Sequence, residues 1–237
     1  MKRRTFLAFG GSLALIGCAG RSVPRGVYEP TEVEAPAYRA GDRWTYRRTD
    51  GYNGLPRGIL TRRVSAVTEG GYVIELRDEE GRLIDEARFT REGLQQAGTF
   101  SEDGPMIGRC EPAYRKYDFP LASGKRWQQA FYLHRSDPGG LRNYVSMSAA
   151  VEGWEEVTVG ERSYRALVIR RALNLGQKSF WESTLYRYET EWYAPALRSF
   201  VRLETREEFY RQRQRGLGAL ENGDRFIYEL LSFEPAG

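Results

Sequence analysis

One histidine and two cysteines in 237 residues leave little from which metal or thiol chemistry could be assembled. Cys18 and Cys110 lie far apart in the chain, so with His134 they cannot supply the ligands of an ordinary zinc site. No Gly-x-Ser-x-Gly elbow occurs, and no glycine-rich phosphate loop of the Walker or dinucleotide type. No cofactor is therefore expected. Helix signals are equally sparse, with Arg91 to Ala97 and Glu207 to Arg215 the two segments worth naming. One apolar run stands out, between Arg4 and Cys18, and it is too short to cross a bilayer as a mature helix.

That run carries the most specific signal present. Lys2, Arg3 and Arg4 precede it and Leu15-Ile16-Gly17-Cys18 closes it, the pattern of an export signal. A cysteine after a leucine, an aliphatic residue and a glycine resembles the bacterial lipobox. The resemblance implies cleavage before Cys18, acylation of its amine and sulfur with palmitate-type chains, and a membrane anchor. Arg3-Arg4-Thr5-Phe6-Leu7 also resembles a twin-arginine motif, and the general export pathway remains the alternative. Ala19 stands where an aspartate often marks inner-membrane retention, which favours the outer membrane in a two-membrane host.

Cleavage changes the charge argument. Losing Lys2, Arg3 and Arg4 takes Lys plus Arg from 36 to 33 against 32 acidic residues, and the net charge from +4 to +1. A nearly neutral mature chain in an exported compartment is a poor nucleic-acid binder. With Cys18 acylated, Cys110 has no internal disulfide partner, and a buried free thiol is the simplest state for it.

Residues 1–17 thus read as a signal peptide and residues 18–37 as a lipidated, Pro/Glu-rich tether punctuated by Pro24, Pro30 and Pro36. Proline disfavours helix at the preceding residue, so the tether is extended, and the eighteen residues from Ala19 to Pro36 reach roughly 55 Å at most at about 3.1 Å each.

Residues 38–237 read as a single β domain. Alternation of period two dominates, as in Trp44 and Tyr46, or Val145, Met147, Ala149 and Val151, and places every second side chain on one sheet face. Further strands are expected over Leu60 to Val67, Tyr72 to Arg77, Arg82 to Phe89, Tyr164 to Arg170, Phe180 to Tyr193, Leu197 to Phe209 and Arg225 to Phe233. Turn signals at Asp50-Gly51, Gly70-Gly71, Glu80-Gly81, Glu152-Gly153, Gly160-Glu161 and Asn222-Gly223 separate them. Short spacings favour antiparallel hairpins. Sliding residues 41–70 over 124–153 without a gap aligns Gly41, Arg43, Trp44, Ser65, Ala66, Glu69 and Gly70 with identical residues. The expectation is an all-β fold: a curved antiparallel sheet, half-barrel or open barrel, built from two similar meanders of about residues 38–118 and 119–237.

Glu156-Val157-Thr158-Val159 with Tyr164, Ala166 and Leu167, followed by Trp192-Tyr193-Ala194-Pro195, resembles a recurring signature of uncharacterised bacterial periplasmic proteins and lipoproteins. The resemblance covers roughly a quarter of the mature chain and implies a curved antiparallel β architecture. It is distantly similar to the lipoprotein-sorting carriers, whose half-barrels hold acyl chains.

Catalytic groupings are weak. His134-Arg135-Ser136-Asp137 offers base, nucleophile and carboxylate side by side, but triads are assembled in space from separated segments, and a strand-end histidine near a turn accounts for it. The carboxylate neighbours Asp78-Glu79-Glu80, Glu155-Glu156 and Glu207-Glu208 read as solvated surface charge. What remains is aromatic density, 13 % of the chain. A core built from large rings explains it, and the functional alternative is a wall for an acyl chain, a glycan or a peptide. The candidate ligand-facing rings are Phe180, Tyr186, Tyr188 and Trp192, on one face of one long strand. The chain is thus expected to be a non-catalytic, lipid-anchored envelope protein, held to the membrane by its N-terminal lipid and binding an envelope protein or apolar ligand. The alternatives are a carrier or chaperone for an apolar envelope molecule and, after it, an envelope hydrolase.

Overall fold

A computed structural model of the chain describes residues 32–99, 106–136, 140–179, 181–213 and 216–237. The leader with Arg3 and Arg4, the lipobox with Cys18, and Phe180 lie outside the described residues. Alternating β-branched and aromatic residues between turn signals produce twelve strands among them. The first six are β1 (Arg43–Asp50), β2 (Pro56–Thr68), β3 (Gly71–Arg77), β4 (Leu83–Thr90), β5 (Gln95–Thr99) and β6 (Ile107–Tyr114). The second six are β7 (Arg126–Arg135), β8 (Arg142–Val159), β9 (Arg162–Gly176), β10 (Glu182–Ala194), β11 (Ser199–Arg213) and β12 (Gly216–Glu234).

Each strand pairs antiparallel with its neighbours in sequence, and β12 returns to β1, with Arg43 opposite Glu234 and Asp50 opposite Phe226. The sheet therefore closes into a barrel. It goes further than the half-barrel or open barrel anticipated, and closure joins the two end strands that an open sheet would leave as edges.

Three local expectations are corrected. Glu207 to Arg213 belongs to β11 and not to a helix, because Thr205 and Glu207 turn inward while the strand pairs with both β10 and β12. Arg91 to Ala97 is a turn leading into β5. Glu152-Gly153 and Asn222-Gly223 do not end strands but lie at register shifts within β8 and β12, where an extra residue is absorbed as a bulge. Both halves begin alike: Gly41 N–H donates to the Val64 carbonyl and Gly124 N–H to that of Val151, each at 2.8 Å. Val151, however, stands where the ungapped comparison would put Met147, so Ser65-Ala66 and Ser148-Ala149 are not equivalent positions.

Eight strands already make a barrel just wide enough for side chains to fill, so twelve in a round section would leave a lumen. Here the interior is packed. Trp127, Phe131, Leu133, Val145, Met147 and Ile169 anchor one buried cluster, and Trp44, Tyr46, Val64, Ile74, Phe200 and Leu203 anchor another. The Trp44 indole N–H donates to the Leu197 carbonyl at 2.8 Å, and burying such a ring stabilises the fold by about 2–3 kcal/mol. An interior void of about 50 Å³ has Ile74, Leu76 and Tyr114 on its wall beside Lys116, Arg187 and Glu189, room for a few waters only. The outer surface is the polar one. Arg47 pairs with Glu229 at 2.8 Å, Arg170 with Glu152 at 2.8 Å and Arg211 with Glu221 at 2.7 Å, the inverse of the apolar band that a lipid-embedded barrel presents.

Candidate functional site

The long strand β10 has two unlike faces. Leu185, Arg187, Glu189 and Glu191 are all buried, while Tyr188 is exposed and Tyr186 half-buried. The charged row therefore points into the barrel and the tyrosines point out. Sequence parity separates the two faces but does not say which one goes inside.

Inside, the charges form one alternating chain. Arg171, on β9, donates from Nε to Glu189 Oε2 at 2.8 Å and from Nη2 to Glu191. Arg187 donates from Nε to the other oxygen of Glu189 at 2.9 Å and from Nη1 to Glu207 Oε1 at 3.2 Å. Lys178 closes one end on Glu207 Oε2 at 3.1 Å, and Lys116, 3.5 Å from Glu191, closes the other, where the Tyr117 hydroxyl also donates to Glu191. Glu207 was expected on the solvated surface and is instead 4 % exposed, an inner link of this chain.

The electrostatics follow from the geometry. Burial alone would raise the pKa of Glu189, but Arg171, Arg187 and Lys116 outweigh it and hold the carboxyl down at about 2. Burial likewise opposes ionisation of Glu191, and Arg171, Lys116 and the Tyr117 hydroxyl reverse the effect. For Arg171 burial favours the neutral form, and the two glutamates overcome it and push the guanidinium pKa well up. Glu189, Glu191 and Arg171 are thus held in their charged forms, so none of the three is poised to exchange a proton as a general acid or base would be.

Outside, the same strands enclose a trough of about 960 Å³. Its floor is made of small outward side chains, Ser148 and Ala150 on β8 and Ala172 on β9, with Gln128, Thr190 and Tyr188 around them. A second hollow of about 350 Å³ continues it past Ser146, Asn174 and Tyr186, with Gln128, Ser148, Ala172 and Tyr188 common to both. The outside of a round barrel is convex, so a depression of this size means that the wall of β7 to β12 is pressed inward.

Of the four rings expected to face a ligand, Tyr186 and Tyr188 line these hollows. Trp192 does not. Its indole N–H reaches across β9 to Glu155 on β8 at 2.9 Å, which covers the buried Ala166 and Val168 at intervening positions. His134 Nε2 lies 3.0 Å from Glu111 Oε2 at the end of β7, outside the residues lining the trough, and Asp137 lies outside the described residues. Among the described residues no three His, Cys, Asp or Glu side chains converge as metal ligands would.

No protein-family model matches the chain, and no curated protein matches it. Solved structures do. A protein of Parabacteroides distasonis described as a lipoprotein superposes with a TM-score of 0.50 at 12% identity, the match covering 85% of this chain and 99% of that one. A Bacteroides fragilis protein described as exported, with a YmcC-like fold, gives 0.48 at 15% identity over 86% of this chain and 100% of that one. YmcC of Escherichia coli K12, described as a hypothetical lipoprotein, gives 0.40 at 11% over 87% and 92%. At such identities the first of these superpositions speaks for a shared fold and for nothing finer.

Proposed function

We propose that this chain is an exported, lipid-anchored envelope protein that acts without catalysis, its barrel a rigid platform whose outer trough receives a ligand or partner. The observation that carries the reading is the lipobox cysteine, Cys18, ahead of a closed barrel whose outer surface is polar and whose interior is filled. The lipoprotein description of the Parabacteroides distasonis structure supports the compartment. A void of about 50 Å³ holds no acyl chain, which weighs against a carrier that stores its cargo in the lumen. It leaves the outer face as the surface open to other molecules. Ala19 after the acylated cysteine favours the outer membrane.

Fractionating cells that express the wild type and Cys18→Ser tests this. The wild type is expected in the membrane pellet, since each acyl chain contributes about 0.8 kcal/mol per buried methylene and several chains act together. The variant is expected in the soluble fraction. Wild-type protein recovered soluble with its leader uncut, or a variant that still pellets with membranes after a salt wash, would refute the anchor.

A further inference from the structure

We infer that the outer trough binds an extended anionic carbohydrate chain. This rests on the trough being the binding surface. Its charge is one-sided: Arg126, Arg170, Arg206 and Arg225 line it from the outer face, against Glu204 alone among outward carboxylates. Arg170 is neutralised by Glu152 at 2.8 Å, and Arg206 lies 3.4 Å from Glu208. Arg126 and Arg225 are exposed and make no ion pair among the described residues.

The arginines are also placed where a sheet does not want them. Arg206 and Arg225 are direct cross-strand partners on β11 and β12. Like charges in that position repel, and a bound carboxylate, sulfate or phosphate between them would convert repulsion into attraction.

The rest of the lining selects carbohydrate. Gln128, Ser146, Ser148, Asn174 and Thr190 present amide and hydroxyl groups suited to sugar hydroxyls. Tyr188 carries the Arg206 guanidinium over its ring, 4.8 Å from the centroid, so a flat ring and a cation stand together on one wall. The small floor residues keep the channel open along its length. A peptide would instead look for a free strand edge or deep apolar sockets, and at the trough β8, β9, β10 and β11 are each paired on both sides.

The test is calorimetric titration of the detergent-solubilised full chain with oligogalacturonate, with neutral maltohexaose and with poly-L-glutamate. Oligogalacturonate is expected to bind with an affinity that falls as salt rises, and Arg126→Ala/Arg225→Ala should weaken it roughly tenfold with melting temperature unchanged. Ala150→Leu, which fills the trough without touching its charge, should abolish binding. Maltohexaose should bind more weakly. Absence of oligogalacturonate binding, or binding indifferent to these substitutions, would overturn the inference. Equal affinity for poly-L-glutamate would overturn it too, in favour of an acidic protein partner. Membrane partition of Cys18→Ser is independent of these outcomes, so the anchor and the ligand stand or fall separately.

Discussion

Arg171 holds two buried carboxylates at once, and replacing it by methionine removes the charge while keeping most of the volume. Glu189 would retain Arg187 and a weaker attraction from Lys116, and Glu191 would retain Lys116 and Tyr117. Breaking a buried pair by deleting one partner costs about 3–5 kcal/mol, because the remaining charge stays out of water. For a chain of this size that lowers the melting temperature by roughly 10 °C or more. The pH dependence is the sharper test. In the wild type Glu189 ionises at about 2 in the folded state and roughly 4.3 unfolded. Its contribution, about 3 kcal/mol, is therefore fully present above pH ~4.5 and lost as pH falls from there to ~2. In Arg171→Met the sign reverses for Glu191, which keeps only Lys116 at 3.5 Å and the Tyr117 hydroxyl against complete burial. Burial then raises its folded pKa, so acidification neutralises the group and the deficit relative to wild type shrinks as pH falls from about 7 to 4. Urea denaturation of both proteins across that range measures it. A deficit below about 1 kcal/mol at neutral pH, or one that stays constant down to pH ~4, would refute the account of a compensated interior chain.

Cys110 is 5 % exposed and burial pushes its thiol up to about 12, so native protein should react with a thiol-specific disulfide reagent far more slowly than denatured protein. Rapid modification without denaturant would contradict this. Gly71 has φ +149°, and a Cβ there would stand 1.9 Å from the Phe89 carbonyl oxygen. Gly71→Ala should cost about 3 kcal/mol or more, whereas Gly54→Ala, at φ +74° with nothing within 4 Å, should cost about 1–2 kcal/mol. Equal losses in chemical denaturation would sink the steric argument.

Strand periodicity made the all-β antiparallel sheet legible, because a pattern such as Val145, Met147, Ala149 and Val151 admits one face only. Closure was not legible, since the contact between β1 and β12 joins the two ends of the sheet and leaves no local mark. Strands β5 and β6 escaped notice because Gln95–Thr99 and Ile107–Tyr114 alternate weakly and contain glycine and proline. The interior chain was half visible. Arg187, Glu189 and Glu191 shared a face in the sequence, but hydrophobicity alone assigns such a row to solvent, and only its pairing with Arg171 on β9 and Lys116 beyond β6 makes burial affordable. Trp192 shows the converse. A ring on the outward face looked free to meet a ligand, and its indole instead serves Glu155 two strands away.

Twelve strands pose a geometric problem that the chain solves in one stroke. A round barrel of that size must enclose either solvent or cargo, and the alternative is to draw one wall inward until side chains fill the space. Apolar residues alone could fill it, but an alternating row of charges fixes more: each carboxylate accepts from guanidiniums at set distances, so β9, β10 and β11 cannot slide past one another without leaving a charge unpaired. The pressed-in wall then has a concave outside by construction. Arg171 points inward between Arg170 and Ala172, Glu189 between Tyr188 and Thr190, and Thr205 between Glu204 and Arg206, and both outward members of each set line the trough. The interior chain and the exterior hollow are thus two faces of the same strand positions, and the shape of the outer trough is set by the ion pairs behind it.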